Sequence, residues 1–168
     1  MKIKSAKKII ILFLYTMGII YITSIYTKDK MDQIFLKKHN EAAKFHSYYN
    51  TFIQWMQLIQ EGKTIADYFE AKDMIAVYGM GNIGELISCE LLKKKRNVVC
   101  GIDKNNTSKN MKTGLEVYSV EDISSIEVDY VIISIPYLAD EIVPMLHKYK
   151  SVKIVTIDEV VEALLRKR

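Results

Sequence analysis

Gly79, Gly81 and Gly84 stand in the spacing G-x-G-x-x-G, within Gly79-Met80-Gly81-Asn82-Ile83-Gly84. An apolar run, Met74-Ile75-Ala76-Val77-Tyr78, precedes them, and an amphipathic run with Ile83, Leu86, Ile87 and Leu91 follows. Between a strand and a helix, each glycine has its own task. The first permits a tight turn, the second lets a pyrophosphate approach the backbone, and the third lets the helix pack close to the strand. The N–H groups of Asn82 and Ile83, at the positive end of the helix, are the natural donors to phosphate.

Asp103 lies 19 residues beyond Gly84, at the end of the apolar run Val98–Ile102. At that distance a carboxylate accepts hydrogen bonds from a ribose diol and disfavours a 2′-phosphate, although Lys104 beside it weakens that preference. The plainer reading of Asp103 is a polar strand end. Ser134, Pro136 and Tyr137 follow a third apolar run; Pro136 shapes a crevice wall and Tyr137 offers a ring to stack on a base or sugar. The expected binding set is therefore Gly79, Met80, Gly81, Asn82, Ile83, Gly84, Asp103, Lys104, Ser134, Pro136 and Tyr137. The expected ligand is NAD or a nucleotide sugar, with an empty site as the alternative.

No catalytic set accompanies these residues. Tyr-x-x-x-Lys occurs at Tyr26/Lys30 and at Tyr149/Lys153, and in the second pair a helix end passes into a strand, so the two side chains do not share a helix face. His147 falls on a surface helix. His39 and His46, seven apart, read as solvated histidines rather than metal ligands. Cys89 and Cys100 lack metal or redox spacing and read as two reduced, small apolar residues.

The elements that must position the glycines alternate from Met74 onward. Strand Met74–Tyr78 leads to a helix over 82–95, strand Val98–Ile102, a polar loop Lys104–Gly114 and a short strand Leu115–Tyr118. Weak helical turns near 121–126, capped by Ser119 or Ser124, lead to strand Tyr130–Ile135, a helix over 140–150, strand Lys153–Ile157 and a terminal helix capped by Asp158. Near-continuous apolar strands alternating with helices predict an α/β fold over residues 74–168. The expected form is a reduced, five-stranded, doubly wound parallel sheet of Rossmann-like type in the order 3-2-1-4-5. Its crevice lies beyond the C-terminal ends of strands 1 and 4.

Ahead of this domain, residues 31–61 read as one long helical stalk. Phe35, Ala42, Phe45, Tyr49, Phe52, Met56 and Ile59 are spaced 7, 3, 4, 3, 4 and 3 apart, with Lys38 in the missing place. That heptad seam fits a homodimer through residues 31–60, and it equally fits packing on the domain, for which Ile53 and Trp55 widen the apolar face. Gly62 ends the helix, and Thr64 with Asp67 caps a short linking helix within 64–72.

Residues 1–8 are a basic tail and Ile9–Tyr26 carries no charge. At 18 residues this run is just long enough for a transmembrane helix, with lysines on both sides and Tyr21 and Tyr26 at an interface. A cleaved signal peptide and an interfacial or buried helix are the competitors, and Thr23-Ser24-Ile25-Tyr26 makes a poor cleavage site. The expectation is a single-pass protein in contact with membrane lipid. Lysine counts do not orient it, and a nucleotide ligand places the C-terminal domain in the cytoplasm. Residues 1–73 hold 11 lysines against 7 acids, whereas 74–168 are electrically balanced. That balance excludes a nucleic-acid-binding domain, which needs a basic face.

The segments YYNTFIQWMQLIQEGKTIADYFE, IAVYGMGNIGELISCELL, GIDKN and GLEVYSVEDI resemble a family of membrane-anchored, Rossmann-like proteins of bacterial capsular and cell-surface polysaccharide clusters, akin to nucleotide-sugar epimerases. The resemblance covers about residues 40–168. It implies a nucleotide-binding module acting with polysaccharide-synthesis enzymes. Because one unit without a catalytic half supplies binding rather than reaction, the expectation leans away from a complete enzyme. An enzyme completed by a partner and a dimerising adaptor with an empty fold are the other readings.

Overall fold

The computed structural model describes residues 2–104, 110 and 112–167, with side chains from residue 13 onward. The chain divides into two units, Met1–Lys44 and Phe45–Arg168.

The first helix, α1, runs over Lys2–Gln60. The expected basic tail, apolar segment and stalk thus share one helix, because no proline interrupts them and the one glycine, Gly18, costs only about 1 kcal/mol. In the first unit, the hydroxyls of Thr16, Thr23 and Thr27 donate to carbonyls three or four residues back. Bonds of this kind let polar side chains sit on a helix without competing for its backbone.

Among the described residues no helix is long and apolar enough to cross a membrane. This corrects the expected span over 9–26, and with it the single-pass location and the cytoplasmic orientation of the C-terminal domain. Among the described residues the physical reason lies in polarity: nearly half of residues 13–27 carry hydroxyls, and Lys28, Asp29 and Lys30 follow them directly. The side chains of Ile9–Leu12, and of Lys2, Lys4, Lys7 and Lys8, lie outside the described residues.

In the second unit, α1 ends in a Schellman motif. Gly62 has φ +75°, its N–H bonds Ile59 O, and Lys63 N–H bonds Leu58 O, which satisfies carbonyls the helix would leave orphaned. The linking helix is shorter than expected, a single 3₁₀ turn Ile65–Tyr68. Asp67 holds its start by accepting from both Thr64 N–H and Thr64 Oγ1.

The sheet has five parallel strands: β1 Met74–Tyr78, β2 Asn97–Ile102, β3 Val117–Tyr118, β4 Tyr130–Ile133 and β5 Lys153–Thr156. Their order is β3-β2-β1-β4-β5, as the alternation of elements predicts. The helices between them are α2 Asn82–Lys93, α3 Ala139–Tyr149 and α4 Ile157–Arg166. One sheet face, with Ile75, Val77 and Ile132, packs on Ile87 and Leu91 of α2, Val160 and Leu164 of α4, and Trp55 and Leu58 of α1. The other face, with Ala76, Ile102 and Val131, packs on Ile142 and Leu146 of α3 and on Ile123. Burial on both faces is why β1 and β4 read as unbroken apolar runs.

Several ends differ from expectation. The last helix is capped by Thr156, whose Oγ1 accepts from Glu159 N–H while Glu159 accepts from Thr156 N–H; Asp158 sits inside the first turn. Strand β4 stops at Ile133 because Pro136 opens a 3₁₀ turn, Pro136–Leu138, before α3. Helix α2 ends at Lys93, where Lys95 adopts φ +58° and Arg96 N–H returns to Leu91 O. Of the polar loop Lys104–Gly114, residues 105–109 and Met111 lie outside the described residues.

Candidate functional site

Parallel pairing brings the C-terminal ends of β1, β2 and β4 to one edge, and the glycine loop leaves β1 there. Gly79 has φ +86°, a conformation L side chains rarely adopt. A Cβ on it would also meet Ser134 Oγ at 2.6 Å. A Cβ on Gly84 would stand 2.1 Å from Gly79 O, so the start of α2 presses directly on the loop. Gly81 differs. Its φ of −76° suits any residue, and an added Cβ would find no atom of the described residues within 4 Å. The fold requires glycine at 79 and 84, and nothing among the described residues requires it at 81.

Neighbouring strands tie the loop down. Gly79 N–H bonds Ile102 O at 2.8 Å. Ser134 Oγ donates to Gly79 O at 2.6 Å. Asp103 Oδ2 accepts from Met80 N–H at 2.8 Å. The Met80 side chain turns inward over β2, where a Cβ on Gly101 would meet its Sδ at 2.7 Å. Gly81 caps α2, whose first ladder bond is Glu85 N–H to Gly81 O at 2.9 Å. A helix start leaves its first N–H groups without intrahelical acceptors, and here these belong to Asn82, which is exposed, and Ile83, whose side chain packs into the core.

A cleft of about 170 Å³ opens beside the loop, walled by Tyr78, Gly79, Asp103, Lys104, Leu138 and Glu141, with Ile135 and Ile142 behind them. Of the residues singled out from sequence, it brings together Gly79, Asp103 and Lys104. Ser134 is buried beneath them, bonded to the loop, and Met80 packs away from the cleft. Pro136 begins the turn behind it. The Tyr137 ring packs edge-on against Tyr48 of α1, centroids 5.7 Å apart, rather than standing over the cleft. Burial, and next the charge of Asp103, raises the pKa of the Tyr78 hydroxyl above its ordinary value.

Sequence reasoning missed Glu141. In the first turn of a helix an acid reads as dipole compensation, and only the packing of α3 on the sheet turns it into a cleft wall. The clamp on the other side of α2 was missed as well. Glu85 accepts from Lys112 Nζ and, at 3.0 Å, from Asn110 Nδ2. Asn110 Oδ1 in turn accepts from Lys112 and Thr113 N–H, so the end of the polar loop is fastened beside the start of α2.

The remaining candidates are placed apart from the cleft. Lys153 Nζ lies 3.3 Å from Tyr130 OH at the opposite end of the sheet, away from the terminal turn of α3 that holds Tyr149. His39 stacks on Phe35, and His46 Nδ1 meets Asn50 Nδ2 at 3.1 Å. No group of metal-binding side chains occurs among the described residues. Both cysteines are free, and burial raises the Cys100 thiol pKa to about 11.

The site offers a glycine loop open at its centre, helix N–H donors beside it, and a small cleft bearing two carboxylates and one lysine. Residues 71–159, more than half of the chain, match the family described as C2185-like, N-terminal. The matched span begins just before β1 and ends in the first turn of α4. No curated protein matches the chain.

Proposed function

The chain belongs to the family described as C2185-like, N-terminal, through residues 71–159, and we propose that the sheet domain containing them is a Rossmann-like module that binds a nucleotide, NAD or a nucleotide sugar. The observation that carries the reading is Gly81. A glycine that neither backbone angle nor packing requires suits a position where a phosphate must approach the chain closely. The helix start beside it supplies donors for that phosphate.

The rest of the site supports the same orientation. The sheet order reverses between β1 and β4, and in open parallel sheets ligands occupy the crevice at such a reversal. The cleft of about 170 Å³ is small beside the 300–1,000 Å³ typical of whole-ligand pockets, so it suits one end of a nucleotide. Its carboxylates, Asp103 and Glu141, favour a ribose diol over a 2′-phosphate. Cooperation with polysaccharide-synthesis enzymes rests on the sequence resemblance alone. Membrane attachment is not part of this reading.

A second reading, an adaptor with an empty fold, is favoured by the Asp103 carboxylate already accepting from Met80 N–H. Thermal unfolding of the full chain with NAD, NADP and a uridine diphosphate sugar separates the two. A ligand at about 100 times its Kd adds about 2.7 kcal/mol of stability. Gly81→Ser keeps a good helix cap and fills the open space, so the variant should unfold near the wild-type temperature and lose the ligand shift. No shift with any of the three ligands supports the adaptor, and a shift that survives Gly81→Ser removes the phosphate assignment.

A further inference from the structure

Away from the nucleotide cleft, the second unit presents an apolar face. Phe52, Met56 and Ile59 of α1 and Leu86 and Cys89 of α2 line a groove of about 290 Å³. Phe45 and Tyr49 continue the same stripe along α1, with exposures of 75% and 57%. Beside it, Trp55, which also lines the groove, and Leu58 are buried in the core, so the helix already has its intramolecular partner and the stripe is a second apolar face. We infer that this face is the contact between two copies of the chain.

Three observations select a second copy. The first is spacing: Phe45, Tyr49, Phe52, Met56 and Ile59 repeat at intervals of four and three, the pattern by which one helix meets another through knobs and holes. An ordinary peptide or small-molecule groove needs no such repeat on its own wall. The second is charge. From Phe45 to Gln60 the helix carries no Asp, Glu, Lys or Arg, so two such helices approach without like-charge repulsion, and the charged groups lining the groove, Glu90 and Lys93 of α2, stand at its α2 wall. The third is area. Phe52 is 49% and Leu86 52% exposed. With roughly 150–250 Å² for a full aromatic side chain, the stripe and Leu86 present on the order of 600 Å² per chain. A pair then buries about 1,200 Å², the lower edge of stable, specific interfaces.

Sedimentation of the full chain over a wide concentration range tests this. The expected species has twice the 19.4 kDa mass of one chain. Phe52→Glu should weaken association roughly thirtyfold or more, as loss of a central apolar anchor does, with far-ultraviolet circular dichroism and an unchanged cooperative melt showing the fold retained. Gln57→Glu, on an exposed side of the same helix, should leave the dimer intact. Should Phe52→Glu not fold, Met56→Lys takes its place. A monomeric wild type, an assembly indifferent to the substitution at 52 or 56, or equal weakening by Gln57→Glu overturns the inference. The nucleotide shift is read separately, so either result stands without the other.

Discussion

At the scale of single residues, the three glycines separate into two kinds. Gly79 and Gly84 answer to the protein: one needs a left-handed backbone, the other leaves no room for a methyl group beside Gly79 O. Gly84→Ala forces the helix off the loop, and overpacking of backbone against backbone costs about 3 kcal/mol. Its melting temperature should fall by several degrees in the absence of any ligand. Gly81→Ser should not lower it. The pair of variants therefore distinguishes glycine kept for packing from glycine kept for a ligand. Sequence spacing treats all three alike, and only the distances at each position tell them apart. Tyr137 teaches the converse. Its side chain suits stacking on a base, yet Tyr48, 89 residues earlier in the chain, takes that ring edge-on.

Among elements, the contact of the polar loop with α2 makes a pH-dependent fastening. Lys112 first, and then Asn110, hold the Glu85 carboxyl below its ordinary pKa. A carboxyl depressed in the folded state stabilises above its unfolded pKa, and that contribution disappears as pH falls through the folded value. The loop end should therefore loosen as pH drops below about 4.5, the ordinary carboxylate range. Hydrogen exchange at Gly114, whose N–H bonds Asn110 O at 2.9 Å, corrected for intrinsic rate, should rise there in the wild type. Glu85→Gln should flatten that dependence. An unchanged profile in the variant removes Glu85 as its source. Strand positions and their order were legible from the apolar runs and the parallel-sheet pattern. Helix and strand ends were less so, because each depends on one local competition: Thr156 against Asp158 for the cap, or Pro136 against continued pairing of β4.

In the molecule as a whole, the sheet domain is not closed by residues 71–159 alone. Trp55 and Leu58 of α1 complete one core layer, and Glu90 of α2 ties that layer together by accepting from Trp55 Nε1 at 2.9 Å and Ile65 N–H at 2.7 Å. Leu58 is fully buried, so Leu58→Ala should destabilise the second unit by about 2–5 kcal/mol. Denaturant unfolding followed by Trp55 fluorescence and by circular dichroism should shift together. Separate transitions would show that this part of α1 docks without belonging to the core.

Composition and periodicity by themselves determined the α/β class and the five strands, because apolar burial on both faces of a parallel sheet leaves a pattern that local sequence carries, and the glycine motif's doubly wound form supplied their order. The sheet order also places the ends of β1 and β2 side by side; of the set expected to converge there, Gly79–Gly84, Asp103, Lys104 and Ser134–Tyr137, the cleft brings together Gly79, Asp103, Lys104 and Ile135. Tertiary structure alone decided the rest. It gave Glu141 to the cleft and took Tyr137 from it, engaged Asp103 with the loop, and joined the apolar N-terminal run to the stalk as one helix without a membrane-length span among its described residues. These outcomes depend on which distant side chain arrives first at a given surface. The glycine loop keeps its geometric meaning throughout, and the open space at Gly81 is where a ligand is to be sought.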